Sequence, residues 1–193
     1  DQHYDLAAIL GKLSDFDDRK LARLAAIEGD ATFVMIKCSD LDPSLFSSNM
    51  SNDALLSFSP IPKPAVLLNK PDIIKYQLIM PYTEGLRFVS YVYKKKKFKG
   101  VNKILSRPPQ STEQILHPEK YLLKEPPLPV FIKYHPEGYK LLHSGVVGEF
   151  LLNILLKPKG SLDIPDSAVG WGGDTFHLYT NDTGYFFCWE SLW

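Results

Sequence analysis

The spacing of apolar residues along the first half of the chain predicts a succession of helices. In each of them, apolar side chains recur three and four residues apart and therefore share one face. The predicted helices span residues 3–13, 18–37, 71–93 and 98–105. Asp15 or Asp17 can cap the second helix. Pro81 and Gly85 interrupt the third, so we expect a kink or a break there. Residues 39–64 are rich in Asp, Ser, Asn and Pro and are expected to be loop-rich.

Short runs of aromatic and β-branched residues, bounded by turn residues, predict strands in the second half. The predicted strands span residues 130–134, 139–143, 175–179 and 185–189. A turn at 136–138 joins the first two, and the last two flank 181–184 as a β-hairpin. Residues 146–156 predict an apolar helix. The fold class is therefore α+β and helix-rich, with small late β elements that include a C-terminal hairpin.

The composition indicates one globular domain without a nucleic-acid partner. The chain has 193 residues, and Lys+Arg and Asp+Glu are each 22, so the formal net charge is zero. A nucleic-acid-binding domain typically carries a strongly basic footprint. The run Lys94–Lys97 is the local exception, which we interpret as a solvated helix end, with a lipid or polyanion patch as the alternative. No segment is long and apolar enough to span a membrane.

The cysteine count leaves the cellular compartment open. Cys38 and Cys188 are too few for a disulfide scaffold. They predict either one bridge in an exported protein or two buried thiols in a cytosolic one. The chain shows no signal peptide, and because it starts at Asp1 rather than Met, we expect a start that is processed or cut.

Glu28 occupies the most informative position in a predicted helix. Steps of three and four along 18–37 place it on the apolar stripe of that helix. The stripe consists of Leu21, Leu24, Ala25, Ala31, Thr32 and Met35. An inward carboxylate is costly unless it is paired, hydrogen-bonded or bound to metal. Glu28 is therefore either a metal ligand or the partner of an arginine or a backbone group. Gly29 beside it keeps the helix surface thin enough for another element to approach.

His117 is the second candidate, because it lies beside Glu119 after a predicted helix cap. Ser111 and Gln114 fit a capping box, in which the Ser hydroxyl accepts the Gln backbone N–H and the Gln side chain reaches back. An imidazole beside a carboxylate can act as an acid, a base or a transition-state donor. The alternative is a packed histidine with one hydrogen bond, in a turn stiffened by Pro118. No H-E-x-x-H occurs in the chain, which excludes a complete zincin site within it.

Several strings occur in order across nearly the whole chain and together form a pattern. They are Asp1–Leu6, Glu28–Thr32, Pro81–Val89, Pro109–Tyr121, Gly148–Phe150 and Gly170–Asp174. This set resembles a family of uncharacterised bacterial proteins related to gluzincin metallopeptidases. In that family a helix has the motif H-E-x-x-H-A-L-Q-D-Q-[HYF]-[FY]-D-L, and an E-G-D-A motif follows on the next helix. The string from Pro109 to Tyr121 is the longest and most specific match.

The resemblance implies a zinc site and a role for each candidate residue. In gluzincins, two histidines of H-E-x-x-H and a later glutamate bind zinc, and a fourth position holds water whose pKa the metal lowers. Glu28 corresponds to that glutamate, and the two histidines are expected upstream of Asp1. His117 is expected to reach the site and stabilise the oxyanion. Zinc is therefore expected in the complete protein, and none in this chain alone.

The resemblance also implies that residues 1–193 form a single domain, the C-terminal portion of a zincin-like metallopeptidase domain that is incomplete at its N-terminus. The first functional hypothesis is an exported or cell-envelope metallopeptidase-like domain with a peptide or protein substrate, inactive as this chain. The alternative is a non-catalytic exported binding or surface protein on the same scaffold, and a third hypothesis is a cytosolic scaffold domain with no site. The residues directly before Asp1 distinguish the first two. The oligomeric state is not indicated.

Overall fold

The computed structural model describes residues 5, 10, 11, 13, 17–39, 70–158 and 166–193. Within them, the helices are α1 (Asp18–Cys38), α2 (Asp72–Ser106), α3 (Thr112–Leu116), α4 (Pro118–Leu123) and α5 (Gly148–Leu155). The strands are β1 (Lys140–Gly145), β2 (Gly173–Asn181) and β3 (Gly184–Leu192). The α+β, helix-rich class with a C-terminal hairpin is confirmed. The predicted helix 3–13 and the loop-rich stretch 39–64 fall almost entirely outside the described residues.

Helix α1 begins at the cap that the sequence offered. Asp17 is extended, and its side chain accepts the backbone N–H of Arg19 at 2.9 Å. Its buried face differs from the predicted stripe, because Met35 is 45% exposed and Ala31 is exposed. The buried residues are Asp18, Ala22, Ala25, Ala26, Gly29, Thr32, Phe33 and Ile36. The buried face is thus rotated from the predicted stripe and shares only Ala25 and Thr32 with it, so Glu28 lies at its border.

The two long helices, α1 and α2, cross at a pair of glycines, one from each helix. A Cβ on Gly29 would overlap the backbone of Gly85, and a Cβ on Gly85 would overlap the carbonyl of Ala25, each closer than real Cβ atoms approach. The α1–α2 pair is therefore in backbone contact at this point, which only glycine permits. Gly29 does admit a neighbouring element, as the sequence indicated.

Helix α2 breaks at a different place from the one predicted. The helix runs through Pro81 and Gly85, and its non-helical residue is Lys97, with φ 54° and ψ −163°. The helix therefore has no break at Pro81 or Gly85, and Gly85 serves the helix crossing. The break at Lys97 separates the two helices predicted at 71–93 and 98–105. The lysine run 94–97 therefore ends the first helical segment of α2, and its four residues are exposed, as predicted for a solvated helix end.

The main core lies between these helices. It contains apolar residues from α1, α2, α3 and α5, including Phe33, Leu86, Phe88, Ile115 and Phe150. A smaller cluster of Leu152, Ala168 and Trp171 lies on the other side of α5. Because α5 contributes to both clusters, its placement links the helical part to the sheet.

The sheet is antiparallel, with strand order β1-β2-β3. The hairpin at 181–184 forms as predicted. The strand predicted over 130–134 does not form. Instead, the carbonyl of Val130 accepts the Thr175 hydroxyl at 2.7 Å, and the ring of Tyr134 packs 5.8 Å from that of Phe186. This extended segment covers one face of the sheet through side-chain contacts, without a backbone ladder.

Two further expectations concern cysteines and membranes. Cys38, which is exposed, and Cys188 in β3 are both free thiols, so the bridge expected for an exported protein is not formed. Of the helices in the described ranges, none has the length and hydropathy needed to cross a bilayer.

Replacing Gly29 with alanine should destabilise the protein, because the added methyl group has no space at the α1–α2 crossing. Overpacking of this kind typically lowers the free energy of unfolding by about 1–3 kcal/mol, even though alanine favours the helix intrinsically. Urea denaturation followed by circular dichroism measures the change. Ala31→Ser is the matched control, since Ala31 is exposed on the same helix and its enlargement should be nearly neutral. An equally stable Gly29→Ala variant would show that the crossing is looser than described.

Candidate functional site

The first turn of α5 is capped by side chains from distant parts of the chain. Val147, its N-cap residue, offers no side-chain hydrogen bond. Asp174 supplies the cap instead, accepting the N–H of Val147 at 2.7 Å and that of Gly148 at 3.0 Å. The Trp171 indole N–H also donates to Asp174, at 2.9 Å. A carboxylate at a helix N-terminus satisfies free N–H groups and the helix dipole together.

A second buried carboxyl group lies directly beside this cap. Asp18 accepts two hydrogen bonds from Thr112, from its backbone N–H at 2.8 Å and from its hydroxyl at 2.6 Å. The Thr112 hydroxyl in turn accepts the N–H of Phe150 at 3.1 Å. Gly148 has φ +78°, and a Cβ there would overlap the Asp18 carboxyl group. Burial raises the pKa of Asp18 to about 8, against the opposing effect of the Thr112 hydrogen bonds.

These contacts place Glu149 deep in the protein. Its side chain is 1% exposed, and its Oε1 lies 2.8 Å from Nε2 of His117. Its Oε2 is buried and has no hydrogen-bond partner in the described part of the chain. A buried carboxylate oxygen without a partner is costly, and in native proteins such groups commonly belong to functional sites or strained positions.

His117 connects this buried carboxylate to the surface. It ends α3 and precedes Pro118 of α4, and its side chain is 28% exposed. The hydrogen bond that His117 donates to Glu149 is the main cause that raises the pKa of His117, with the charges of Glu149 and Glu119 adding to it and burial opposing it. Nδ1 of His117 lies 3.9 Å from Glu119, on the more exposed side. The pair can therefore hold a proton near neutral pH at a partly open position.

A second ion pair borders the dyad. Glu113, 4% exposed, accepts a hydrogen bond from the Lys120 ammonium at 2.5 Å, and Glu125 lies 3.4 Å from the same nitrogen. Burial raises the pKa of Glu113 most, and the nearby charge of Glu149 raises it further, while Lys120 lowers it. The carboxylates of Glu113 and Glu149 are thus electrostatically coupled, each with a cationic or protonatable partner.

The predicted cap of α3 is present, with one difference. The Ser111 hydroxyl accepts the backbone N–H of Gln114 at 3.4 Å, as expected. The Gln114 side chain reaches back to the N–H of Gln110, at 2.8 Å, rather than to that of Ser111. The same amide donates to the carbonyl of Glu125 at 2.5 Å. The cap therefore also ties the end of α4 to the start of α3 and fixes the segment that carries His117.

Glu28 lies elsewhere, on α1. It is half-buried, and its carboxylate interacts with the hydroxyl of Tyr82 on α2; burial first, and then this carboxylate, raise the pKa of Tyr82. The partner that the structure gives Glu28 is thus a tyrosine hydroxyl. Among the described residues, no hydrogen bond or ion pair joins Glu28 to His117. The structure thus brings His117 together with Glu149, and Glu28 together with Tyr82.

A zinc site needs several metal-ligating side chains close together. The described ranges contain no group of three or more His, Cys, Asp or Glu side chains arranged to hold a metal ion. Glu28 alone is one carboxylate ligand, and a protein zinc site needs at least three protein ligands. The residues described here therefore do not fit a complete zinc centre by themselves.

The buried carboxyl groups that build the site were not predicted from the sequence. Glu149 and Asp174 appeared in the strings Gly148–Phe150 and Gly170–Asp174 without an assigned role, and Asp18 appeared only as a helix start. The signal for Glu149 was available, since it is the charged residue in the apolar run 146–156. Charged residues are rarely fully buried unless paired. Its partner could not be found, because His117 is 32 residues away in sequence.

Comparisons with known proteins add no relative. The chain was compared with protein-family models, with curated proteins and with solved structures, and none of the three comparisons gives a match.

Replacing Glu149 with glutamine should lower the pKa of His117. In the wild-type protein that pKa lies above the ordinary value of 6.5 because the carboxylate stabilises the imidazolium. An NMR pH titration of the ring protons, assigned with His117→Gln, measures it. Because the folded-state pKa is raised, the His117–Glu149 pair contributes fully to the free energy of unfolding below the unfolded-state pKa of His117. This contribution is lost as pH rises through the raised folded-state pKa.

Glu119→Gln is the matched control for this titration. Glu119 is more exposed and 3.9 Å from Nδ1, so its removal should lower the pKa of His117 less than removal of Glu149. If both variants leave the titration unchanged, Glu149 does not hold the His117 proton.

Proposed function

We propose that this chain is the larger part of a zincin-like metallopeptidase domain in which His117, held by Glu149, donates to a developing oxyanion of the substrate. In this proposal Glu28 is a metal ligand of the complete protein, and the chain by itself is inactive. The observation that carries the proposal is the partly exposed imidazole of His117 backed by the buried carboxylate of Glu149 at 2.8 Å.

The geometry of the dyad suits proton donation more than simple packing. A structural histidine needs one hydrogen bond, which a backbone carbonyl could supply at little cost. Here the partner is a carboxylate that is 1% exposed and retains a buried oxygen without a partner. Burying that charge costs stability, and this cost is commonly tolerated at sites where a pKa must be shifted. The second imidazole nitrogen lies on the side facing Glu119 and solvent.

The roles within the dyad follow from these positions. Glu149 Oε1 orients the ring and favours the imidazolium, which leaves the Nδ1–H of His117 available to a ligand oxygen. A donor aimed at an oxygen that becomes negative stabilises the transition state more than the ground state. Glu113 and Lys120 form a neighbouring ion pair that limits the net charge around Glu149. Amide hydrolysis needs such a donor for the tetrahedral intermediate.

Glu28 is assigned to the metal on the resemblance. Its half-buried position and its contact with the Tyr82 hydroxyl are compatible with a carboxylate held in one orientation. When bound, zinc would supply an activated water. The role proposed for His117 rests on its own contacts and does not require Glu28 to touch it.

The zinc assignment is tested on the full gene product, expressed from its own initiation codon. We expect an H-E-x-x-H helix before Asp1 and about one zinc per chain by elemental analysis, as a three-ligand site binds. Glu28→Gln should lower zinc affinity tenfold or more, since loss of even an outer-shell partner costs about that much. Glu137→Gln, an exposed change in a turn, should leave it unchanged. Absence of the motif would favour the non-catalytic binding protein instead.

The role of His117 is tested on the same full-length protein. His117→Ala should lower the turnover of a peptide substrate about a hundredfold or more, the usual scale for a lost oxyanion donor. His143→Ala, an exposed change on β1, should retain turnover. If turnover per folded molecule is unchanged and the melting temperature falls, His117 is structural.

A further inference from the structure

The break in α2 lies at the last residue of the lysine run 94–97. Lys97 has φ 54°, in the left-handed region that non-glycine residues seldom adopt. Three residues later, Gly100 is buried, and a Cβ there would overlap the side chain of Lys96 and approach Cγ1 of Val92 at 3.0 Å. The helix therefore changes direction at the end of the lysine run and packs back against the stem of Lys96. Lys96 of this run, together with Lys99 and Lys103 after it, lines a common concavity.

That concavity is a cavity of about 370 Å³. Its lining consists of Lys96, Lys99, Gly100, Lys103, Arg107, Tyr121, Leu122 and Lys124. Five of these side chains are cationic and none is acidic. The volume is within the range of roughly 300–1,000 Å³ that small-molecule sites occupy.

No carboxylate in the described part of the chain neutralises the five cations. None of them forms a salt bridge within the described ranges, whereas Lys75, Lys120 and Lys157 each do. The formal net charge of the chain is zero, so this concentration of one sign is local. Like charges around one cavity repel each other, and a bound anion removes that repulsion.

The apolar part of the wall is held rigidly. The Tyr121 ring packs edge-on against Phe88 at 5.1 Å, and its hydroxyl donates to the carbonyl of Arg107 at 3.0 Å. These contacts fix α4 against the end of α2 and set the distance between Arg107 and Lys124. The cations therefore line a formed concave surface rather than a freely moving chain.

We propose that this cavity binds a ligand that carries two or more phosphate groups. A guanidinium matches two oxygens of one phosphate in a bidentate pair, while lysines act as point charges that suit several oxygens at once. Five cations exceed what one phosphate requires, which favours a ligand with more than one. The same chemistry occurs in soluble phosphate esters and in lipid headgroups. This site is independent of His117 and of the proposed peptidase function.

Isothermal titration calorimetry with inorganic pyrophosphate at low ionic strength tests the proposal. The chain should bind about one pyrophosphate, and Lys99→Glu/Lys103→Glu should weaken binding tenfold or more, as expected when hydrogen bonds to charged groups are lost. Lys94→Glu/Lys95→Glu is the matched control, since it changes the net charge equally at exposed positions of the same run that do not line the cavity. It should change the affinity less than about threefold, because neither side chain lines the cavity and the interaction between charges in water weakens with distance.

A second arm distinguishes the source of the phosphates. Cosedimentation with phosphatidylcholine vesicles, with and without phosphatidylinositol bisphosphate, should show binding that pyrophosphate displaces if the ligand is a lipid headgroup. Binding of pyrophosphate without vesicle binding assigns a soluble ligand. Arg107→Gln is used as well, so that a folding defect in the double variant, seen as a lower melting temperature, does not decide the result. If no probe binds, or if both double variants weaken binding equally, the cavity is not a phosphate site.

Discussion

The arrangement of this protein depends on how the first turn of α5 obtains its hydrogen bonds. Its own N-cap residue provides none, so the N–H groups of Val147, Gly148 and Phe150 bond to side chains from β2 and α3. Asp18 completes the set from the start of α1, through two hydrogen bonds from Thr112. Four elements that are far apart in sequence thus meet at one buried polar cluster. Because buried polar groups must be paired, this cluster permits few other arrangements of those elements.

The same cluster determines where the candidate site lies. Gly148 must be glycine, since its left-handed backbone places its α-carbon against the Asp18 carboxyl group. The following residue, Glu149, is therefore directed into the interior, where it meets His117 from the junction of α3 and α4. The carboxyl groups of Asp18, Asp174 and Glu149 all lie in space near the first turn of α5. Burial raises the pKa of the two aspartates, and Glu149 is the one that has an imidazole partner.

Backbone geometry also shapes the more distant features. The contact of Gly29 with Gly85 brings α1 and α2 together and leaves Glu28 at the border of their interface, beside Tyr82. The left-handed residue Lys97 redirects the end of α2 so that it lines a basic cavity together with α4. In both cases, a departure from regular helix packing positions side chains that regular helices would have left apart.

Much of the local structure was determined by the sequence itself. Helix periodicity, the Asp17 and Ser111 caps and the turn at 181–184 act over a few residues, so they predicted α1, the start of α3 and the C-terminal hairpin. The tertiary structure decided which face of α1 is buried, where α2 breaks, and that residues 130–134 stay outside the sheet. It also decided that His117 pairs with Glu149. These outcomes depend on contacts between residues distant in sequence, such as Gly29 with Gly85 and Asp18 with Thr112, whose free energy no local pattern contains.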